Sequence, residues 1–142
     1  MKPRLFFYSI VITLTIPLFA SAKPNILWVY VEDLSPWFDC YGDELNAGKT
    51  PVTTKLAEEG ALFTGCYMPS PTCSTTRSAL ITGTHQGTFG LHNHRSSRTE
   101  KSGIHLPDHV KTLPELFLQA GYETFNLGKD DYNFIYKRGD LY

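Results

Sequence analysis

Hydrophobic residues along this chain occur in two patterns. Some form continuous runs bounded by polar residues, and others recur at helical spacing. Asn25 to Val31, NILWVYV, is a continuous apolar run rich in β-branched and aromatic residues, which predicts a strand buried on both faces. Ala61 to Met68 and Tyr122 to Leu127 read as two further strands, with the aromatics Trp28, Tyr30 and Phe125 in the core. Thr50-Pro51 predicts a helix start with proline at its first position, and Gly60 its stop. Val52, Leu56 and Ala57 supply a partial apolar stripe between them. Residues 74–82, STTRSALIT, predict a short helix ended by Gly83, with Cys73 at its N-terminus. Thr112-x-x-Glu115 is a capping-box pattern. It is followed by an apolar face of Leu113, Leu116, Phe117 and Ala120, and Gly121 closes that helix. LSPWFDCYGDELNAGKT and Thr84 to Gly103 read as loops.

The order is strand, helix, strand, helix, loop, helix, strand. Such alternation predicts an α/β fold with a mostly parallel sheet flanked by helices. Ligands of such sheets bind at the carboxyl ends of the strands. Glu32-Asp33 and Lys129 directly follow predicted strands, and Cys73 lies in a turn leading into a helix. The predicted fold brings all four to one rim.

One apolar run stands apart. Lys2 and Arg4 precede the uncharged stretch Leu5 to Phe19, and Ala20-Ser21-Ala22 is a small-residue cleavage pattern. Residues 1–22 therefore read as a secretory signal peptide. The run falls short of the ~20 apolar residues of a spanning helix, and Ser9, Thr13, Thr15 and Pro17 interrupt it. No stable membrane anchor is expected. The expectation is export to a periplasmic, secreted or lumenal location, with residues 23–142 as one small domain.

A net charge of −1 gives no electrostatic case for a nucleic-acid partner. Three cysteines, Cys40, Cys66 and Cys73, cannot all pair within one chain. Cys73 is distinctive in its setting. A helix N-terminus favours an anion, either a thiolate or a bound oxyanion. Arg77 follows at i+4 on the same helix face and is a planar donor suited to sulfate, phosphate or carboxylate. The adjacent carboxylates Glu32 and Asp33 suit a hard cation such as calcium or magnesium. A cation, an arginine and a lysine together clamp a tetrahedral oxyanion. His92-x-His94 lacks a third ligand at a zinc spacing and reads as loop.

Taken in order, these segments resemble the sulfatases. KPNILWVYVEDLSPWFDCYG is similar to their opening strand and Asp-Asp metal motif. TPVTTKLAEEGALFTGCYMPSPTCSTTRSALITG resembles the signature block nearly end to end, and LPELFLQAGYETFNLGK the segment ending in Gly-Lys. The resemblance implies an alkaline-phosphatase-like fold and a sulfuric ester hydrolase. It implies that a formylglycine-generating enzyme converts Cys73 to formylglycine, whose hydrate attacks the sulfur of a sulfate ester. Calcium or magnesium would be bound by Glu32, Asp33 and the modified Cys73. Arg77 would steady the aldehyde hydrate and Lys129 would contact the sulfate. Conversion of Cys73 would leave Cys40 and Cys66 as an even pair.

The sequence departs from the family pattern at three positions. Glu32 stands for the first aspartate, Thr75 for the proline of the signature, and Asp131 for the histidine two residues after the lysine. The loop GTHQGTFGLHNHRSSR is similar to the Gly-Leu-His stretch of N-sulfoglucosamine sulfohydrolases. The implied substrate is a sulfated carbohydrate or an aryl sulfate. The chain reads as the N-terminal part of such an enzyme, truncated after the Gly-Lys segment. Two other readings accompany this one. The chain is a non-catalytic remnant that binds a metal or sulfated glycan, or it is a phosphate-ester hydrolase of the related fold, for which Ser or Thr would be the usual nucleophile.

Overall fold

Folding of this chain centres on one helix and the segment that docks against it. The computed structural model describes residues 23–94, 99–101 and 103–142. The signal-peptide reading of 1–22 and part of the loop read at 84–103 lie outside the described residues. The described residues divide into two units after Tyr30. In the first, residues 23–30, Trp28 and Tyr30 meet edge to face with ring centroids 6.4 Å apart.

The second unit contains four α-helices: α1 (Pro51–Glu59), α2 (Cys73–Thr82), α3 (Leu113–Gln119) and α4 (Arg138–Leu141). Two short 3-10 helices, Asp39–Tyr41 and Glu44–Asn46, precede them. Local chemistry accounts for the boundaries. Pro51 opens α1, and Thr53 and Thr54 hydroxyls donate to the Thr50 carbonyl. The Thr50 hydroxyl accepts from the Asp39 amide at 2.9 Å, tying α1 to the loop before it. α2 ends at Gly83 in the left-handed region, φ 60, whose amide reaches back to the Leu80 carbonyl. At the start of α3, the Glu115 carboxylate accepts from the Thr112 amide at 2.7 Å and from its hydroxyl at 2.8 Å. This is the glutamate half of the capping arrangement read from the sequence.

α2 carries the core. Ile81 packs with Leu91, Tyr132, Phe134 and Leu141, bordered by Phe89, Ile104, Leu106 and Leu113. Tyr132 and Phe134 stack with their planes 6° apart. The inner face of α2 is unusually polar. Ser74, Thr75 and Ser78 are fully buried, and each hydroxyl is satisfied by a nearby carbonyl or side chain. The Ser78 hydroxyl donates to the Ser74 carbonyl at 2.6 Å and accepts the Asn133 amide at 2.7 Å. That second bond docks residues 131–134 on α2. Asn133 Nδ2 donates to the carbonyls of Leu91 and Asn93, which fixes the start of the histidine loop.

The three expected strands do not form. Among the described residues there is no strand. Among the described residues, backbone bonds outside the helices include turn closures and a long-range bond from the Ile135 amide to the Ile104 carbonyl. A strand exists only as one side of a ladder, and a two-faced apolar strand also needs layers above and below. The described residues supply neither, so the apolar runs stay exposed. Leu27 is 87% exposed, Phe125 79% and Leu127 101%. Trp28 and Phe125, read as core, are exposed as well. The helices expected at 51–59, 74–82 and 113–120 form to within a residue. α4 was not anticipated.

Candidate functional site

The site begins at the loop Pro69-Ser70-Pro71-Thr72. Its backbone is held against α2 from several sides. The Thr76 hydroxyl donates to the Ser70 carbonyl at 2.6 Å, and Gln86 Nε2 to the Pro69 carbonyl at 2.7 Å. Thr75, which stands in place of the signature proline, donates to the Thr72 carbonyl at 2.8 Å and lies 2.5 Å from the Ser70 hydroxyl. Its hydroxyl thereby fastens the turn before the helix. Cys73 follows at the first helical position, half-buried, behind the extended Thr72.

One turn further on, the Arg77 side chain is only 12% exposed. Its Nη2 donates to Glu32 Oε2 at 3.0 Å, and its Nη1 to the Lys129 carbonyl at 2.7 Å. Lys129 Nζ donates to the other Glu32 oxygen at 2.5 Å and lies 3.3 Å from Asp131 Oδ2. Two of the four residues expected at one rim, Glu32 and Lys129, are thus in direct contact, and Arg77 bonds to both, although the three are far apart in the chain. Both cations converge on a single carboxylate. The Glu32 carboxyl is held below its ordinary value, chiefly by the Lys129 hydrogen bond. Partial desolvation opposes that shift, and the charges of Lys129 and Arg77 add to it.

Asp33 is exposed and has φ 54, in the left-handed region. Asp131 shares that backbone conformation and is buried, its side chain 4% exposed. The histidine loop reaches α2 through His94, whose Nδ1 lies 2.9 Å from the Ser74 hydroxyl, next to Cys73 in the chain. Cys40, Cys66 and Cys73 are all free thiols, so the expected pairing of Cys40 with Cys66 is not formed.

A hard divalent ion takes about six to eight oxygen ligands. Among the described residues no three His, Cys, Asp or Glu side chains form a group able to hold a metal. Both Glu32 oxygens face cations instead. Glu32, Asp33 and Cys73 alone therefore do not fit calcium or magnesium. The arrangement does offer two cationic donors around one small anion, beside a helix N-terminus carrying Cys73. A depression of ≈ 360 Å³ lined by Pro69, Ala79, Leu80, Gly83, Thr84 and His85 contains none of these groups. That depression offers little besides apolar surface.

Sequence reasoning did not anticipate the pair between Asp130 and Arg138, 2.9 Å apart, which holds the turn at residues 126–130 that carries Lys129. Asn126-x-Gly128 is the signal that was available. It is an Asx-turn pattern, and Asn126 Oδ1 does accept the Gly128 amide at 2.8 Å.

The sulfatase family model matches residues 24–140, and the chain belongs to the sulfatase family. It is 34% identical over 118 residues to the ulvan-active sulfatase of Formosa agariphila, covering 79% of this chain and 20% of that protein. It is 33% identical over 132 residues to human arylsulfatase D, covering 89% of this chain and 22% of the relative. To human N-acetylgalactosamine-6-sulfatase it is 35% identical over 117 residues, 78% of this chain and 22% of the relative. The chain therefore spans about a fifth of the length of these relatives. No solved structure matches it. No helix among the described residues is long and apolar enough to cross a membrane.

Proposed function

We propose that the chain carries the nucleophile-bearing part of a sulfuric ester hydrolase acting on a sulfated carbohydrate or aryl sulfate. The observation that carries this reading is the convergence of Arg77 and Lys129 on one carboxylate, one helical turn from Cys73. A carboxylate held by two cations occupies the kind of place a sulfate group needs, and Arg supplies the planar fork that sulfate oxygens accept. The names of the relatives, all sulfatases, support the reaction class.

Cys73 is the residue assigned to formylglycine, made by a formylglycine-generating enzyme. The hydrated aldehyde supplies the attacking hydroxyl and a second hydroxyl that releases sulfate. Arg77 orients the nucleophile and Lys129 binds the sulfate group. Glu32 and Asp33 stand at the positions of the family's metal carboxylates, and on their own they do not complete a calcium or magnesium site. Asp131, at the position of the family's histidine, holds the Lys129 ammonium. Export through residues 1–22, a catalytic domain over 23–142, and a parallel sheet built from the exposed runs at 25–31, 61–68 and 122–127 belong to the same proposal.

The test is a paired assay of the sulfate and phosphate monoesters of 4-nitrophenol, with the chain co-expressed with a formylglycine-generating enzyme. The sulfate ester is expected to turn over faster. Cys73→Ala should abolish hydrolysis, and Arg77→Ala should lower kcat/KM by about 100-fold or more. Preference for the phosphate ester would overturn the reading in favour of a phosphohydrolase. The nearly full exposure of Leu27, Phe125 and Leu127 favours a second reading, a non-catalytic remnant, and hydrolysis of neither ester would support it.

A further inference from the structure

The turn bearing Lys129 is fastened from two sides. On the site side, Arg77 holds its carbonyl and Glu32 its ammonium. On the far side stands Arg138, the first residue of α4, an element anchored in the core by the buried Leu141. Arg138 Nη1 donates to Asp130 Oδ2 at 2.9 Å. Its Nη2 donates to the Asn126 carbonyl at 2.5 Å and lies 3.4 Å from the Gly128 carbonyl. The other Asp130 oxygen accepts Asn126 Nδ2 at 2.6 Å. That same Nδ2 lies 3.1 Å from the Tyr142 hydroxyl, and the Arg138 guanidinium sits 5.9 Å from the centre of the Tyr142 ring. Every bond that closes residues 126–130 on this side runs to Arg138, to its partner Asp130, or to Asn126.

We propose that Arg138 is a positioning residue for Lys129. A lysine ammonium on a flexible four-carbon stem is only as well placed as the backbone that carries it. The backbone here is unfavourable on its own, since Asp131 has φ 54 and such residues persist where their surroundings over-determine them. Arg138 supplies that over-determination. Its planar fork reaches three acceptors of one turn at once, which a point-charge ammonium cannot match. With the fork in place, Lys129 reaches Glu32 and Asp131, its side chain 39% exposed. The inference rests on the reading of Lys129 as the sulfate contact and extends it to the residue that sets its position. A solvated ion pair of no consequence is the competing account, because Arg138 is half-exposed.

The experiment is a brief acetic anhydride pulse on the full chain, followed by peptide mass spectrometry of each lysine. Lys55, 69% exposed, serves as the internal reference. Glu32→Gln, which removes the direct partner, sets the scale for a released Lys129. Arg138→Ala and Asp130→Asn are each expected to raise Lys129 acetylation about three-fold relative to Lys55. Lys111 should not change, and Arg138→Lys should restore protection only in part. Should Arg138→Ala unfold the chain, all lysines rise together and Asp130→Asn decides. A selective rise at Lys129 in that variant supports the proposal, and an unchanged Lys129 overturns it. Unchanged Lys129 labelling in a folded Arg138→Ala also overturns it, whether or not Glu32→Gln has an effect. No turnover is required. Failure of the sulfatase reading would leave this result standing, and failure here would leave Cys73 and Arg77 untouched.

Discussion

Arg77 illustrates how a single buried charge organises its surroundings. A guanidinium this shielded must find acceptors. It finds one on Glu32, 45 positions earlier, and another on Lys129, 52 positions later. The same requirement acts on Tyr132, whose ring stacks on Phe134 and whose hydroxyl lies 2.5 Å from that of Tyr142. Its phenol is raised far above the ordinary value of 10.0, first by burial and then by the Tyr142 hydrogen bond. The sign follows from linkage. A raised folded value means that the fold favours the neutral phenol. Its stabilisation is complete below pH 10 and is lost as pH rises above that value, where the unfolded chain ionises. Absorbance titration should therefore show at least one tyrosine fewer ionising in the folded chain than in denaturant. Tyr132→Phe should remove that deficit and the associated alkaline instability. An identical count in both states would contradict the burial argument. At this scale the sequence was informative where a residue's type dictated its chemistry. Glu32, Arg77 and Lys129, which converge in the structure, were legible from their places in motifs. Asp130 and Arg138 were not, because an arginine in KRGD and an aspartate in a polar turn look like solvated residues until the fold brings them together.

Elements were legible wherever the signal was local. Thr50-Pro51, Thr112-x-x-Glu115, Gly83 and Gly121 mark helix ends by their own backbone chemistry, so α1, α2 and α3 fall where those residues place them. α4 escaped notice because four residues, RGDL, carry no period. The strands failed for the opposite reason: an apolar run states a demand for burial, and the partner that meets it is non-local. Gly83 gives a quantitative check. Its φ is 60, and a Cβ placed there would touch nothing within 4 Å. The cost of Gly83→Ala is then conformational alone, about 1 kcal/mol. Urea denaturation should show a lower midpoint at unchanged slope. A change below the error of the measurement would mean that α2 does not end in the left-handed conformation.

Across the whole chain, the apolar surface is divided unevenly. The residues that pack around Ile81 are buried, while the runs at 25–31, 61–68 and 122–127 present exposed side chains such as Val29, Phe63, Tyr67 and Leu127. Among the described residues, the longest hydrophobic runs are thus outside the core. The family is shown by the order of the segments rather than by a completed sheet, and the match over 24–140 spans both the buried and the exposed parts. The central claim is that Cys73 is the formylglycine position beside an Arg77–Lys129 sulfate site. Mass spectrometry of the Cys73 peptide, after co-expression with a formylglycine-generating enzyme, tests it most directly. The expected result is formylglycine in place of cysteine at position 73, with Cys40 and Cys66 unchanged. Unmodified Cys73, in a preparation where the generating enzyme converts a control substrate, would contradict it.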